Sequence, residues 1–341
     1  MAKRTRVFLL VATGVLVAGL GTGLIAWAMG VPVLAALGSN VPDELAYVPG
    51  NARLVAYANV REVMNSPLHD TIQQLGRANP SNADGLEART GINIETDIDR
   101  VVAALAGQSG PAGTDRPLVV ARGRFNEVKI EGLMRDQGAQ VELYRGKRLV
   151  FIKDDSHDVA LVFAETGLVL FGDEAAVRGA IDTKAGAAGN ITGNTEFMGL
   201  VSSVDDGTAW TVAKFDALAG RTPLPPEVAS QLPPINWLAA SGRLSGDMRG
   251  LVRAEARDEA SAENLRDVVK GFLALAKIQG AQRPELKGML SSVELGGEGK
   301  TVSLSFEVTP AVLDFLGSGA AGRGAPAPRR PARPRSAPPV Y

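Results

Sequence analysis

The densest group of side chains able to do chemistry in this 341-residue chain is Lys153-Asp154-Asp155-Ser156-His157-Asp158. Carboxylates and an imidazole crowded together are the donor types that hold a hard cation or relay protons. Asp154, Asp155, His157 and Asp158 are therefore the metal or acid–base candidates of the sequence. Their placement points to a plainer role. They separate two apolar runs, Leu149-Val150-Phe151-Ile152 and Val159-Ala160-Leu161-Val162, where a hairpin needs polar turn residues. The segment also lacks the glycine and final glutamate of a helix–loop–helix calcium site. A turn is the expected role.

Gly297-Glu298-Gly299-Lys300-Thr301 resembles the end of a phosphate-binding loop, but that motif needs a glycine where Glu294 stands, and a helix afterwards. The residues that follow have strand character, so a hairpin turn is expected here too. His69 begins a helix beside Asp70, and neighbours in sequence do not face one another on a helix. No serine lies in a nucleophile elbow, and with two histidines in the chain any triad would have to use His69 or His157. The chain has no cysteine. Disulfides, zinc thiolate sites and thiol nucleophiles are thereby excluded. The sequence offers no catalytic set and no cofactor loop, and the expectation is a protein that is not an enzyme. Tyr57, Trp210 and Trp237 lie in apolar runs, where core packing is the expected role and a groove between domains the alternative.

Charge is segregated along the chain. Before Ser39 the charged residues are Lys3, Arg4 and Arg6; after Gly317 they are Arg323, Arg329, Arg330, Arg333 and Arg335. Setting those eight aside from the overall −1 leaves a formal charge of −9 on the stretch between. An acidic body argues against nucleic acid as partner, because phosphate neutralisation needs clustered Lys and Arg. Residues 318–341 are built of Gly, Ala, Pro and Arg, the composition of a disordered tail.

The three basic residues at the start precede Val7–Met29, a run without a single charge. As a helix this run spans about 35 Å, enough for a hydrocarbon core of about 30 Å. The next basic residue is Arg53. The positive-inside rule then keeps 1–6 in the cytoplasm and exports everything after the helix, as a single-pass protein of the inner (cytoplasmic) membrane with its C-terminus outside. Ala26-Trp27-Ala28 fits a signal-peptidase site, but the apolar stretch is longer than that of a signal peptide, so an uncleaved anchor is expected. Gly19 and Gly23 form a small-xxx-small pair that lets two such helices approach closely.

After a linker, 30–40, a pattern occurs twice. Val41–Gly50, with Pro42 and Pro49, reads as a linker leading into the strand Leu54–Val60, and Ser66-Pro67 starts a helix. In the second half of the chain Ala209–Phe215 is a strand candidate, and Thr222-Pro223 a helix start. Val159–Phe163 and Leu168–Phe171 form a hairpin through Glu165-Thr166-Gly167, and Asp173 caps a helix; Val293–Leu295, Val302–Val308 and Thr309-Pro310 repeat that order. Pro117–Phe125 and Arg148–Lys153 are further strands. Asp258–Gln279 is the longest helix, with Leu265, Val268, Val269, Phe272, Leu275 and Ala276 on one face. The expected fold is α+β, two related halves of antiparallel sheet at 41–186 and 187–317, with helices packed on one face and a transmembrane helix in front.

Val48-Pro49-Gly50-Asn51-Ala52, Val55–Val60, Ser66-Pro67-Leu68, Thr90-Gly91-Ile92-Asn93 and Asp97–Val101 together resemble uncharacterised signal-anchored bacterial envelope proteins of unknown function. The resemblance covers residues 45–125. It implies an exported, duplicated body and brings no activity or site residues. The functional expectation is a non-catalytic, membrane-tethered extracytoplasmic binding or scaffold module whose partner is an envelope protein or its own copy. The alternative is a small-molecule or lipid binder using a cleft between the halves.

Overall fold

The computed structural model describes residues 42–66, 69, 92–106, 116–153, 158–204, 208–218, 233–244, 248–280 and 284–307. Val7–Met29, the tail from Ser318 and the helices expected after Ser66 (apart from His69), Thr222 and Thr309 lie outside them. No helix among the described residues is long and apolar enough to cross a membrane.

Twelve strands form one antiparallel sheet. The first seven are β1 (Ala52–Asn59), β2 (Ile98–Ala106), β3 (Arg116–Gly123), β4 (Gln140–Tyr144), β5 (Lys147–Ile152), β6 (Val159–Glu165) and β7 (Leu168–Asp173). The other five are β8 (Ala209–Lys214), β9 (Ile235–Arg243), β10 (Arg249–Ala256), β11 (Glu294–Gly296) and β12 (Thr301–Glu307). The spatial order is β11-β12-β10-β9-β8-β1-β2-β3-β7-β6-β5-β4. Outward from the β1–β8 seam the two arms run alike: β1-β2-β3-β7-β6 on one side, β8-β9-β10-β12-β11 on the other. The hairpin β4–β5 extends the first arm.

Register repeats with the order. Leu118 pairs with Gly172 in β3–β7, and at the equivalent place in the second arm Leu251 pairs with Ser305 in β10–β12. The β2–β3 ladder slips at Asp99, between Ile98 and Arg100; the β9–β10 ladder slips at Asn236, between Ile235 and Trp237. At the seam Ala56 faces Thr211, with Tyr57 on Trp210 to one side and Val55 on Val212 to the other.

Helices α1 (Val60–Met64), α2 (Ile94–Asp97), α3 (Glu127–Asp136), α4 (Glu174–Lys184) and α5 (Thr195–Ser202) each begin at a side chain that accepts from the first-turn amides. The caps are Asn59, Asn93, Asn126, Asp173 and Asn194, residue types that satisfy orphan helix N–H groups. The 22-residue α6 (Glu259–Gly280) is followed by α7 (Pro284–Ser292).

These helices cover both faces of the sheet, not the single face expected. On one, Val55, Val102, Leu118, Val120, Leu168, Leu170, Trp210 and Trp237 pack under α4, α5 and the lead-in Asp43–Tyr47. On the other, Ala56, Val101, Ala103, Val119, Val150 and Val169 pack under α1 and α3. Further along that second face Leu238, Ala254 and Val302 pack under α6 through Ala262, Leu265 and Val269. The reason is in the strands: Val101–Ala104, Leu118–Ala121 and Val159–Val162 are buried at every position, as in sheets covered on both sides. The apolar face expected along α6 is buried at Leu265, but Phe272 is 41% exposed further along.

Cross-strand fit is tight where glycine stands opposite a bulky neighbour. A Cβ on Gly172 would lie 2.2 Å from the carbonyl oxygen of Pro117, and its φ of 154° is one that side-chain-bearing residues rarely adopt. Backbone strain and a backbone clash each cost about 1–3 kcal/mol. Gly172→Ala is therefore expected to lower unfolding free energy by about 3 kcal/mol, read as a lower urea midpoint at unchanged slope; a shift below about 0.5 kcal/mol would contradict this packing.

Candidate functional site

The lead-in segment is not the linker that its prolines suggested. Asp43–Tyr47 forms a 3-10 helix, and Leu45, Tyr47 and Val48 are buried in the core because each is apolar enough to gain from it. The same turn carries Glu44, whose side chain is wholly inaccessible. Glu44 Oε1 accepts from Arg122 Nε at 2.6 Å and lies 3.4 Å from a terminal guanidinium nitrogen of Arg100. Its Oε2 has no hydrogen-bond partner among the described residues. Arg100 and Arg122 stand directly opposite one another in the β2–β3 ladder. Like charges in that position repel. The Glu44 carboxylate between them turns the repulsion into an ion-paired bridge.

Further along the same segment, Tyr47 donates its hydroxyl to Glu165 Oε1 at 2.8 Å. Lys184, in the last turn of α4, sits 3.5 Å from that carboxylate and 4.9 Å from the Tyr47 ring centre. Burial, together with the hydrogen bond and charge of Glu165, pushes the Tyr47 phenol well above its ordinary value. The Tyr47 hydroxyl, Lys184 and Arg122 hold Glu165 below the usual carboxylate range, against a smaller desolvation effect. Burial works against the charge of Arg122, but the hydrogen bond to Glu44 and the charges of Glu44 and Glu165 keep its pKa raised. The amide of Ile191 donates to Val48 O at 2.8 Å and that of Gly50 to Gly189 O at 2.9 Å. One short segment is thus tied to β2, β3, β6, α4 and the turn at 189–191. This network fixes a segment in place; it contains no poised nucleophile.

Of the residues singled out by type and spacing, Asp154, Asp155 and His157 lie outside the described residues. Lys153 and Asp158 flank them at the ends of β5 and β6, which pair as a hairpin from Ile152–Val159 inward. Asp158 gives its carbonyl to the amide of Glu174 at 2.9 Å. Gly297–Lys300 is the β11–β12 turn, clamped by Arg266 of α6, which donates to the carbonyls of Gly299 at 3.0 Å and Thr301 at 2.9 Å. His69 lies 3.6 Å from Glu95. Among the described residues no three His, Asp or Glu come together as a metal site.

The aromatic residues belong to the core. Trp210 and Trp237 are buried, and Tyr57 stacks on Trp210 across the seam at 5.8 Å between ring centres. Trp237 meets Phe197 edge-on and donates its indole N–H to Glu196 at 2.9 Å. Where a cleft between halves was the alternative, β1 and β8 are hydrogen-bonded.

Sequence reasoning missed Glu44 as a structural centre. The signal was partial: Arg100 and Arg122 each border the apolar run of their strand, and a charge brought against a core needs a counter-charge.

No protein-family model matches the chain, and no curated protein does. Among solved structures, crystal form III of TP0453 matches with a TM-score of 0.48 at 9% identity, covering 82% of this chain and 99% of that one. Crystal form IV of TP0453 matches with a TM-score of 0.45 at 10% identity, covering 82% and 97%.

Two outcomes test the network. Removing one partner of a buried ion pair costs about 3–5 kcal/mol, and the partly exposed arginines place Glu44→Gln near the lower figure, measured by urea unfolding. A loss under about 1 kcal/mol would mean that Glu44 is not what holds the arginines together. For pH, a raised Tyr47 pKa means stability that is complete below its unfolded value of about 10 and is lost as pH rises toward the folded value. A depressed Glu165 pKa means stability present above about 4.3 and lost as pH falls through the lower folded value. Tyr47→Phe is expected to flatten the alkaline fall in the urea midpoint above about pH 10, while wild type keeps it. Parallel curves would rule out the Tyr47–Glu165 bond as its source.

Proposed function

We propose that this chain is a non-catalytic, single-pass membrane protein whose extracytoplasmic body is a binding or scaffold module. The observation that carries the reading is the network at Glu44 and Tyr47. It locks residues 42–50 into the body, a short way along the chain from the end of the uncharged run Val7–Met29. A body fixed so close to its tether is held within about 40 Å of the membrane. A swinging head on a long linker would not be. Lys3, Arg4 and Arg6 before the run orient it with the body outward. The resemblance to signal-anchored envelope proteins supports the same placement.

Repeated strand order, register and ladder slips support two related halves, 41–186 and 187–317, joined at the β1–β8 seam. Such a scaffold presents a broad sheet with both arms fixed relative to each other, which suits holding a partner. The acidic body directs that role toward protein or lipid partners and away from nucleic acid.

The test is fractionation and in-cell crosslinking of the full-length chain carrying a tag after Gly317. The expected outcome is a chain resistant to alkaline extraction, with an intact N-terminal peptide and a body accessible to protease from outside. Reproducible capture of an envelope protein or of a second copy completes it. A chain released into the soluble fraction with its N-terminus removed would overturn the tether.

A further inference from the structure

One edge of the sheet is short: β11 has three residues and ends at Gly296. The other is β4. No described strand lies beyond it, and Gln140, Val141, Glu142 and Leu143 are all exposed. Among the described residues five large apolar side chains are exposed, and three gather here. Val141 is 38% and Leu143 71% exposed, on the face that α3 covers. Val128, 83% exposed, stands one turn before Glu131 on α3, and Glu131 is ion-paired with Arg148, the cross-strand neighbour of Leu143. An edge strand with no described strand on its outer side and with apolar side chains, without proline or lysine to guard it, is a pairing template.

We propose that β4 pairs antiparallel with β4 of a second copy, extending the sheet across a two-fold axis. The strand's own pattern narrows the register. Residues that meet must share a face, so the axis passes through one residue. Centring on Glu142 would set two carboxylates opposite each other, which is unfavourable. Centring on Val141 sets Val141 on Val141, Leu143 on the small Ala139, and Gln140 on Glu142. One face of the joint is then wholly apolar. On the other face the Gln140 amide can donate to a carboxylate already positioned by Arg178 at 2.9 Å. The chain uses the same device internally, where β1 meets β8 with Ala56 on Thr211.

A joint of one short strand from each copy buries less than the roughly 1,200 Å² of a stable free dimer. It therefore draws on the tether of the proposed function, which confines copies to one plane and raises their effective concentration.

Because the chain has no cysteine, single substitutions report cleanly. Opposed Cα atoms in an antiparallel pair lie about 4.5–5.5 Å apart, within disulfide reach. In this register two copies of residue 143 are offset along the strands by about 13 Å, beyond that reach. Val141→Cys, Leu143→Cys and, as a distant exposed control, Ile278→Cys are introduced into the full-length chain in membranes and mildly oxidised. The expected result is a disulfide-linked dimer from Val141→Cys at several times the yield of the other two. A Val141→Cys yield no higher than that of Leu143→Cys or Ile278→Cys overturns the proposal. Fractionation of the same sample reads the tether separately: a soluble chain that still crosslinks at 141 keeps the joint and removes the tether.

Discussion

Two arginines set side by side in a ladder repel, and a carboxylate stripped of water needs positive partners; at Glu44 each condition resolves the other. The consequence reaches past the ion pair. Because Glu44 sits between Arg100 and Arg122, the turn that carries it must lie across β2 and β3. Leu45, Tyr47 and Val48 are then delivered into the core beneath α4. Tyr47 in turn reaches Glu165 at the end of β6, and Lys184 closes the ring from α4. A short segment that local sequence would leave loose becomes the piece on which one face of the first arm is assembled.

The seam sets the second constraint. Had β1 and β8 each been an outer strand of its own sheet, two exposed edges would face each other across a cleft. Their pairing removes both edges, and the Tyr57–Trp210 stack fills the space above them. Among the described residues the Trp210 indole N–H has no hydrogen-bond partner there, nor does the hydroxyl of Ser241, its neighbour across β8–β9. Packing of the large ring outweighs the lost hydrogen bond at this position, a balance of about 1–3 kcal/mol each way. The joint between halves is thus both hydrogen-bonded and stacked, which favours a rigid plate over a hinged pair of lobes.

Much of this was legible in sequence where the determinant is local. Asp173 announces α4 because its carboxylate meets the amides of Ala175 and Ala176, close by in the chain. Gly167 announces the β6–β7 hairpin because its positive φ suits glycine. The pairing of β5 with β6 reads from their two apolar runs, Leu149–Ile152 and Val159–Val162. What stayed hidden is non-local. The union of both halves in one sheet depends on β1 meeting β8 from far along the chain, which no short pattern encodes. The lead-in read as a linker because Pro42 and Pro49 speak locally, whereas Glu44 finds its partners in the distant strands β2 and β3. Helices on both faces were inferable in principle: unbroken runs of buried residues in β2, β3 and β6 leave no face for water.

Among the described residues the arms differ most between their third and fourth strands. The first arm inserts β4–β5 between α3 and β6; the second runs from α6 through α7 to β11. A pure repeat would end on equivalent short strands at both edges. Instead one edge stays at a minimal strand while the other gains a hairpin whose tight turn, with Arg145 and Gly146 both at positive φ, matches the twist of its strands. Arg178 of α4 reaches Glu142, and Arg148 of β5 reaches Glu131 of α3, so the added strands are braced from both faces. Bracing an edge while leaving Val141 and Leu143 in water stabilises the strand's shape without covering its apolar side chains. An edge that served nothing would gain from a lysine or a proline at those positions. In the proposed pairing, the added hairpin is the part of the plate that meets another strand.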